Sequence, residues 1–287
     1  MKNLIYFLFL LFLCNYLHAQ ESVITPLSSR FKWDTEVIDS GMVRVYYAVN
    51  AVDINDIKTY DDLQRLDIGT AISKCYSYFI FCNDSLKRGF VKKYPNARSI
   101  PSWPGEKGKN GSWWYIVFWS DFYKDFKKSI LTEHALMPLG VPHYQYTEEI
   151  PIQDWKLLDD TLTVCGYLCQ KATCRFRGND FVAWFAPELP IPNGPWKFGG
   201  LPGLILKVND TALHYVFECI KIESHTTKFP IFMSDNKFYQ KIDRVKLRQL
   251  DKAIYNNYYK VADTQATYAD GTPVKFTPIP YHPLELE

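Results

Sequence analysis

The sequence predicts a mainly β, α+β fold: one curved antiparallel sheet with a C-terminal amphipathic helix packed on it. Three observations carry that expectation. Aromatic residues make up 16% of the 287-residue chain, as 20 Tyr, 19 Phe and 8 Trp, and such side chains sit well on a pleated, half-buried surface. Short apolar runs recur at close spacing with turn residues between them, the pattern of antiparallel strands rather than of βαβ units. Between Arg244 and Ala262 the period changes, with Leu247, Leu250, Ile254, Tyr258 and Val261 at steps of three and four. That is the apolar stripe of a helix that needs a sheet face to cover.

Residues 1–19 read as an export signal. Lys2 supplies a positive start, Leu4 to Leu13 an apolar core, and Leu17-His18-Ala19 a small-residue cleavage site before Gln20. A core of that length is too short to stay in a bilayer as a spanning helix, and no other run approaches spanning length. The expectation is an exported protein of the periplasm or cell envelope of a Gram-negative bacterium that does not span the membrane. Cys14 raises lipid attachment as an alternative, but Leu13 stands where a lipoprotein signal wants a small residue. Residues 20–262 form a single β-rich domain in this reading, and 263–287 a Pro-containing tail, extended or loose. Without Lys2, 32 of the 33 basic residues remain against 31 acidic ones. So even a balance predicts no nucleic-acid partner.

Residues 20–40 show little pattern and read as a loosely held arm. Strands follow at 43–49, at 66–68 and 72–80 around Gly69-Thr70, and at 113–119 after the turn pair Asn110-Gly111. The segment 53–64 is ambiguous, and 83–97 reads as a short helix stopped by Pro95. Trp113 to Trp119 is apolar on both faces, which predicts a central strand. Further strands are expected at 130–136, 143–146, 155–158, 161–166, 168–176, 181–186, 204–208 and 214–222. In the strand at 204–208, Leu204, Leu206 and Val208 share one face; in the last, Tyr215, Phe217 and Cys219 do.

The stretch Phe181 to Lys207 organises the rest. Within it, Gly194-Pro195 and Gly199-Gly200-Leu201-Pro202-Gly203-Leu204-Ile205 have a plain structural reading. Pro202 fixes φ at the second place of a turn and Gly203 supplies positive φ at the third, a type II turn that launches the strand from Leu204. Gly199-Gly200 permits close backbone approach. Nothing in the motif accepts a proton, attacks carbon or holds a metal.

The same residues, Gly200 to Ile205, resemble the signature of the GLPGLI family of exported bacterial proteins. Gly166-Tyr167, Cys169-Gln170-Lys171-Ala172, Phe176-Arg177-Gly178, Ala183-Trp184-Phe185 and Gly194-Pro195 extend the resemblance, and Asp180 departs from it where a second basic residue is expected. The resemblance implies an exported envelope protein and carries over no catalytic residue. The layout, a Trp-bearing strand, a link, then Gly-Leu-Pro opening the next strand, is similar to the half-barrel of lipoprotein-carrier-like domains. That similarity concerns the fold alone.

Chemistry-bearing residues are scattered. Cys75, Cys82, Cys165, Cys169, Cys174 and Cys219 remain after the signal, an even number that suits disulfides in an oxidising compartment without choosing a pairing. Cys165, Cys169 and Cys174 lack zinc-knuckle spacing, and on a strand the first two lie roughly 13 Å apart. His134, His143, His214, His225 and His282 form no metalloprotease motif. No nucleophile elbow, P-loop or dinucleotide fingerprint is present. Glu148-Glu149 and Asp159-Asp160 sit in turn-like segments, where a solvated loop is the ordinary reading. Tryptophans admit two readings, core filling or a concave ligand face, and Trp113, Trp114, Trp184 and Trp196 are the ligand-binding candidates.

These residues predict a non-catalytic envelope protein, without cofactor or metal, that binds a hydrophobic or peptide-like ligand or an envelope partner. The alternatives are an envelope hydrolase assembled from His143, Glu148, His214 or Glu218, and a structural component of an outer-membrane complex.

Overall fold

A computed structural model of the chain describes residues 35–100, 105 and 120–286. The export signal, the expected strand at 113–119 and the candidates Trp113 and Trp114 lie outside the described residues. The fold is mainly β. Its strands are β1 (Thr35–Val49), β2 (Asp62–Gly69), β3 (Ile72–Ser77), β4 (Ser120–Asp125), β5 (Ile130–Ala135), β6 (Tyr144–Glu149), β7 (Lys156–Val164), β8 (Tyr167–Phe176), β9 (Asn179–Ala186), β10 (Leu204–Asp210), β11 (Val216–Ser234) and β12 (Gln240–Lys241). Among the described residues two α-helices accompany them, α1 (Tyr78–Lys93) and α2 (Arg244–Val261). The chain divides into two units, Met1–Lys32 with Lys87–Ser102, and Trp33–Leu86 with Trp103–Glu287; in the smaller one Phe90 packs on Tyr94 at 4.8 Å.

Everything else concerns the larger unit. Its strands join in one sheet of order β12-β6-β5-β4-β3-β2-β1-β11-β10-β9-β8-β7. Every pairing is antiparallel except β12 on β6, so the sheet is mixed rather than wholly antiparallel. It curves enough that distant strands share one core. Cys75 of β3 and Cys169 of β8 belong to the same buried cluster, although β2, β1, β11, β10 and β9 lie between them in the sheet. Among the described residues no helix is long and apolar enough to cross a membrane.

Local chemistry explains where elements begin and end. The apolar run 72–80 does not continue as a strand, because the Ser77 hydroxyl accepts from the Ile80 amide at 3.2 Å and caps a helix instead. Asp243 caps α2 by accepting from Val245 N at 2.9 Å and Lys246 N at 3.3 Å. The periodic residues of α2 are the ones that pack: Leu247 and Ile254 are buried with Ala135, Met137, Val141 and Tyr146 around β5 and β6, and Leu250, Tyr258 and Val261 flank them.

Three sequence expectations are corrected. Residues 35–40 are not a loose arm but the start of β1, which pairs with the far half of β11 from Thr35 opposite Ser234 onward. Ladder bonds need no apolar pattern, and Thr35 to Ser40, exposed or half-buried, shows none. Ile205 is as fully buried as Leu204 and Leu206, since the link between β9 and β10 covers the second face of β10. The tail is not loose at its end: Ile279 N donates to Tyr255 O at 3.0 Å, Leu286 N to Arg177 O at 2.8 Å, and Leu284 and Glu285 are buried. All six described cysteines are free thiols.

β2 is buried on both faces. On one, the Arg65 guanidinium lies 4.8 to 5.0 Å from the rings of Tyr76, Tyr78 and Phe81 and pairs with Asp67 at 3.0 Å. On the other, Asp62 is held by neutral donors, Gln64 Nε2 at 2.6 Å and Ser77 Oγ at 2.7 Å. Burial pushes its carboxyl up to about 7, only partly offset by those two bonds. Between about pH 4 and about 7 the folded chain therefore holds a proton that the unfolded chain has lost. This group makes stability fall as pH rises through that window. Urea unfolding at several pH values checks it: the Asp62→Asn variant is expected to lose that slope, and an unchanged slope would show the carboxyl to be ionised throughout.

Candidate functional site

The link from β9 to β10 folds inward as a plug. Trp196, only 3% exposed, lies among Phe122, Phe176, Phe181 and Phe198, with Phe198 at 5.0 Å; Phe198 and Leu201 are buried beside it. Trp196 adopts a φ of 50° and its backbone N–H donates to Cys75 Sγ at 3.3 Å. As a ligand contact Trp196 is thus corrected to a core residue: the turn of the plug aims its ring inward. Trp155 Nε1 donates to Gly199 O at 2.8 Å, and Gly199 N donates to Gln153 Oε1 at 3.0 Å.

The expected type II turn is also corrected. Positive φ falls at Gly200 (81°), and Gly203 is not in that region. Gly203 is needed for closeness, since a Cβ there would stand 2.3 Å from Ala186 O. Gly194 likewise lets Ile205 come near, at 3.0 Å from an added Cβ, while Pro195 is buried and Pro202 exposed. The motif is therefore a close crossing of two backbones at the root of β9 and β10.

Two buried lysines hold the plug in different ways. Lys124 of β4 donates to Asn193 Oδ1 at 3.0 Å, Gly194 O at 3.2 Å and Phe198 O at 2.5 Å. Burial pushes its amine down to about 7. Lys197, 0% exposed at its side chain, instead meets carboxylates: Glu285 directly, Glu133 at 3.5 Å and Glu148 at 3.8 Å, with the Tyr146 hydroxyl at 2.5 Å. Three guanidiniums complete the cluster. Arg177 reaches Glu148 at 2.7 Å and Glu285 at 3.1 Å, Arg244 reaches Glu285 at 2.7 Å, and Arg248 reaches Glu133 at 2.6 Å and Asp251 at 3.4 Å.

The cluster is formally neutral, Lys197, Arg177, Arg244 and Arg248 against Glu133, Glu148, Asp251 and Glu285. Burial alone would raise Glu285, but Lys197 and Arg248 outweigh it and hold the carboxyl down at about 2. Glu133 is likewise held below its ordinary value against burial, by Arg248 and Lys197. Asp251 is raised to about 6 by burial, which Arg248 only partly offsets. These groups join five segments, the plug, β5 with β6, the turn between β8 and β9, α2 and the tail. What such compensation does chemically is to fix geometry.

The other sequence candidates stay apart. His143 Nδ1 accepts from Met137 N at 2.9 Å; His214 stands 3.5 Å from Asp210 and stacks on His282 at 4.0 Å; Glu218 pairs with Lys207 at 2.7 Å; Glu148 belongs to the cluster above. Among the described residues no group of three or more His, Cys, Asp or Glu is placed to hold a metal ion. Trp184 packs in part against the main core. Half-buried on β9, it sits in register between Lys171 of β8 and Lys207 of β10, with Lys171 Nζ 5.6 Å from its ring centroid. Sequence reasoning passed over Lys197. Its signal was a single cation flanked by Trp196 and Phe198 inside an apolar link.

A family model described as the N-terminal domain of an N-glycanase peptide matches residues 141–249, which hold β6 to β12, the plug and the start of α2. No curated protein matches the chain. Two solved structures of PNGF-II, in space groups C2 and P21, are similar to it at 12% identity and a TM-score of 0.44, over 73% of this chain. They are covered over 32% and 33% of their own length, so the chain spans about a third of the solved structures it matches.

Two substitutions test this site. Replacing Lys197 by Met leaves Glu133 and Glu285 without their shared ammonium, and urea unfolding is expected to show a loss of about 3–5 kcal/mol. Adding Glu285→Gln should return part of it. A loss no larger than that of an exposed pair would show that the cluster supports nothing. Separately, Gly203→Ala is expected to cost more than Gly200→Ala, whose added Cβ meets open space and pays about 1–2 kcal/mol for its backbone alone. The reverse order would show that the two backbones do not approach closely at Gly203.

Proposed function

We propose that this chain is an exported, non-catalytic protein of the cell envelope, of the GLPGLI type, that binds a peptide-like ligand on the outer face of β8, β9 and β10. The observation that carries the reading is Trp184. A half-buried aromatic ring with the Lys171 ammonium beside it, and Lys207 in register on its other side, suits a peptide or sugar ring that brings polar edges and an apolar face. The buried cluster supports it from beneath, because β9 and β10 are joined by the plug that Lys124 and Lys197 hold. A platform on rigid strands loses little freedom when a ligand arrives.

Within peptide-like ligands we favour a glycopeptide. The matched family is described as the N-terminal domain of an N-glycanase peptide, and the match includes Trp184, Lys171 and Lys207. A binding module beside a catalytic part is the role such a domain would take on its own. Isothermal titration with a glycopeptide, and with the same peptide stripped of sugar, tests the reading. Trp184→Ala is expected to weaken glycopeptide binding about tenfold, or about 1.4 kcal/mol, with the unfolding midpoint close to the parent's. Unchanged affinity in the variant would remove the platform, and release of sugar or cleaved peptide during titration would replace binding by catalysis.

A further inference from the structure

Strand register links Trp184 to a hollow farther across the sheet. Lys207 of β10, opposite Trp184, is also opposite Glu218 of β11, and Glu218 is opposite Ala48 of β1. Directly opposed residues of a ladder share a face, so Lys171, Trp184, Lys207, Glu218 and Ala48 form one row on the outer side. The Lys207 ammonium accordingly meets Glu218 at 2.7 Å. Three strand spacings of about 4.8 Å separate β9 from β1, which puts Ala48 about 14 Å along the row from Trp184.

At Ala48 the row runs into a hollow of about 370 Å³. Ala48, Val52, Ile54 and Val216 make its wall apolar, and Asp53 and Glu218 bring carboxylates to it. The connection from β1 to β2 forms one side and is tied down at several points. Asn50 Oδ1 accepts from Val216 N at 2.8 Å, Thr59 Oγ1 donates to Asp53 O at 2.8 Å, and the Tyr60 hydroxyl donates to Ile54 O at 2.5 Å. Such a hollow exists before a ligand arrives and costs little ordering. One oxygen of each carboxylate is engaged, Asp53 Oδ1 by Asn55 N at 2.9 Å and Glu218 Oε2 by Lys207. Among the described residues, Asp53 Oδ2 and Glu218 Oε1 have no partner. The connection also carries Asp53, Asp56 and Asp61 against Lys58 alone, so the surroundings of the hollow are negative.

We propose that the hollow takes the side chain of a lysine or arginine from an extended peptide that crosses the row. The inference rests on the Trp184 reading for the placing of that peptide, and on the hollow alone for its basic residue. An apolar wall with carboxylates suits a side chain that lays its methylenes on the protein and carries a charge at its end. A plain aliphatic side chain would leave both carboxylates unused, and an acidic one would be repelled. Spacing follows from strand geometry. An extended peptide rises about 3.3 Å per residue with side chains on alternate sides, so a residue about four places from the one on Trp184 reaches the hollow and faces it. A shift of one place turns that side chain away.

Isothermal titration of the full chain tests this with short peptides holding one asparagine, bare or bearing N-acetylglucosamine. A lysine stands about four residues before the asparagine in one series and about four after it in the other. Control peptides carry norleucine, which keeps the stem and drops the charge. In one series lysine is expected to bind about fivefold tighter than norleucine, the yield of two half-exposed ion pairs. That advantage should shrink at high salt and vanish when lysine moves by one residue. Asp53→Asn combined with Glu218→Gln is expected to abolish it, with the unfolding midpoint close to the parent's. Trp184→Ala should weaken both glycopeptides and leave their ratio unchanged. Equal affinity of lysine and norleucine peptides in both series, or an advantage that survives the double substitution, would overturn the hollow and leave the Trp184 reading standing. A lysine advantage without any dependence on sugar or on Trp184 would keep the hollow and remove the platform. Binding by none of the peptides would overturn both.

Discussion

A lysine side chain with no contact to water has to find its charge balance inside the protein, and in this molecule Lys197 finds it in residues from three other parts of the chain. Removing an ammonium ion from water costs several kcal/mol, and only close carboxylates with their own remaining bonds satisfied can repay it. Glu133 and Glu148 come from neighbouring strands, Glu285 from the tail, and Arg177, Arg244 and Arg248 keep those carboxylates from facing one another alone. The arrangement is all or none. If α2 or the tail is displaced, the plug is left with a buried, unbalanced charge.

The contrast between the two buried lysines says what the plug is for. Lys124 meets only amide and carbonyl oxygens of the loop, and burial pulls its amine down; its role is to shape the loop's backbone. Lys197 ties the finished loop to the rest of the unit. Held from both sides, the link also fixes the crossing at Gly203, where the two backbones approach too closely for any side chain. The strands it joins, β9 and β10, then present Trp184 and Lys207 outward on a support that cannot easily shear.

Much of the fold was legible because apolar residues must face inward at the period of their element. The strands 130–135, 167–176, 179–186 and 204–210 and the helix 244–261 were readable within a few residues for that reason. The pairing of the start of β1 with the second half of β11 was not, since backbone pairing needs no side-chain pattern. Ser77 as a cap hid inside a run that reads equally well as a strand. Of the site, Trp184 was legible as one of four candidate tryptophans, but Trp196 stood beside it among them and turned out to be core. Glu285 lay in a proline-containing tail with no periodicity, so nothing marked it as the direct partner of Lys197.

By itself the sequence determined the class of the fold, the order of most elements, the place of the organising motif and the amphipathic character of the last helix. These are local properties, set by turn residues and by periods of two and 3.6. Only the tertiary structure decided which charges meet, why Gly203 must be glycine and which tryptophan belongs to the core. Those depend on residues up to a hundred and more positions apart being brought together, and the identity of a side chain carries no record of the distant partner it will be asked to balance.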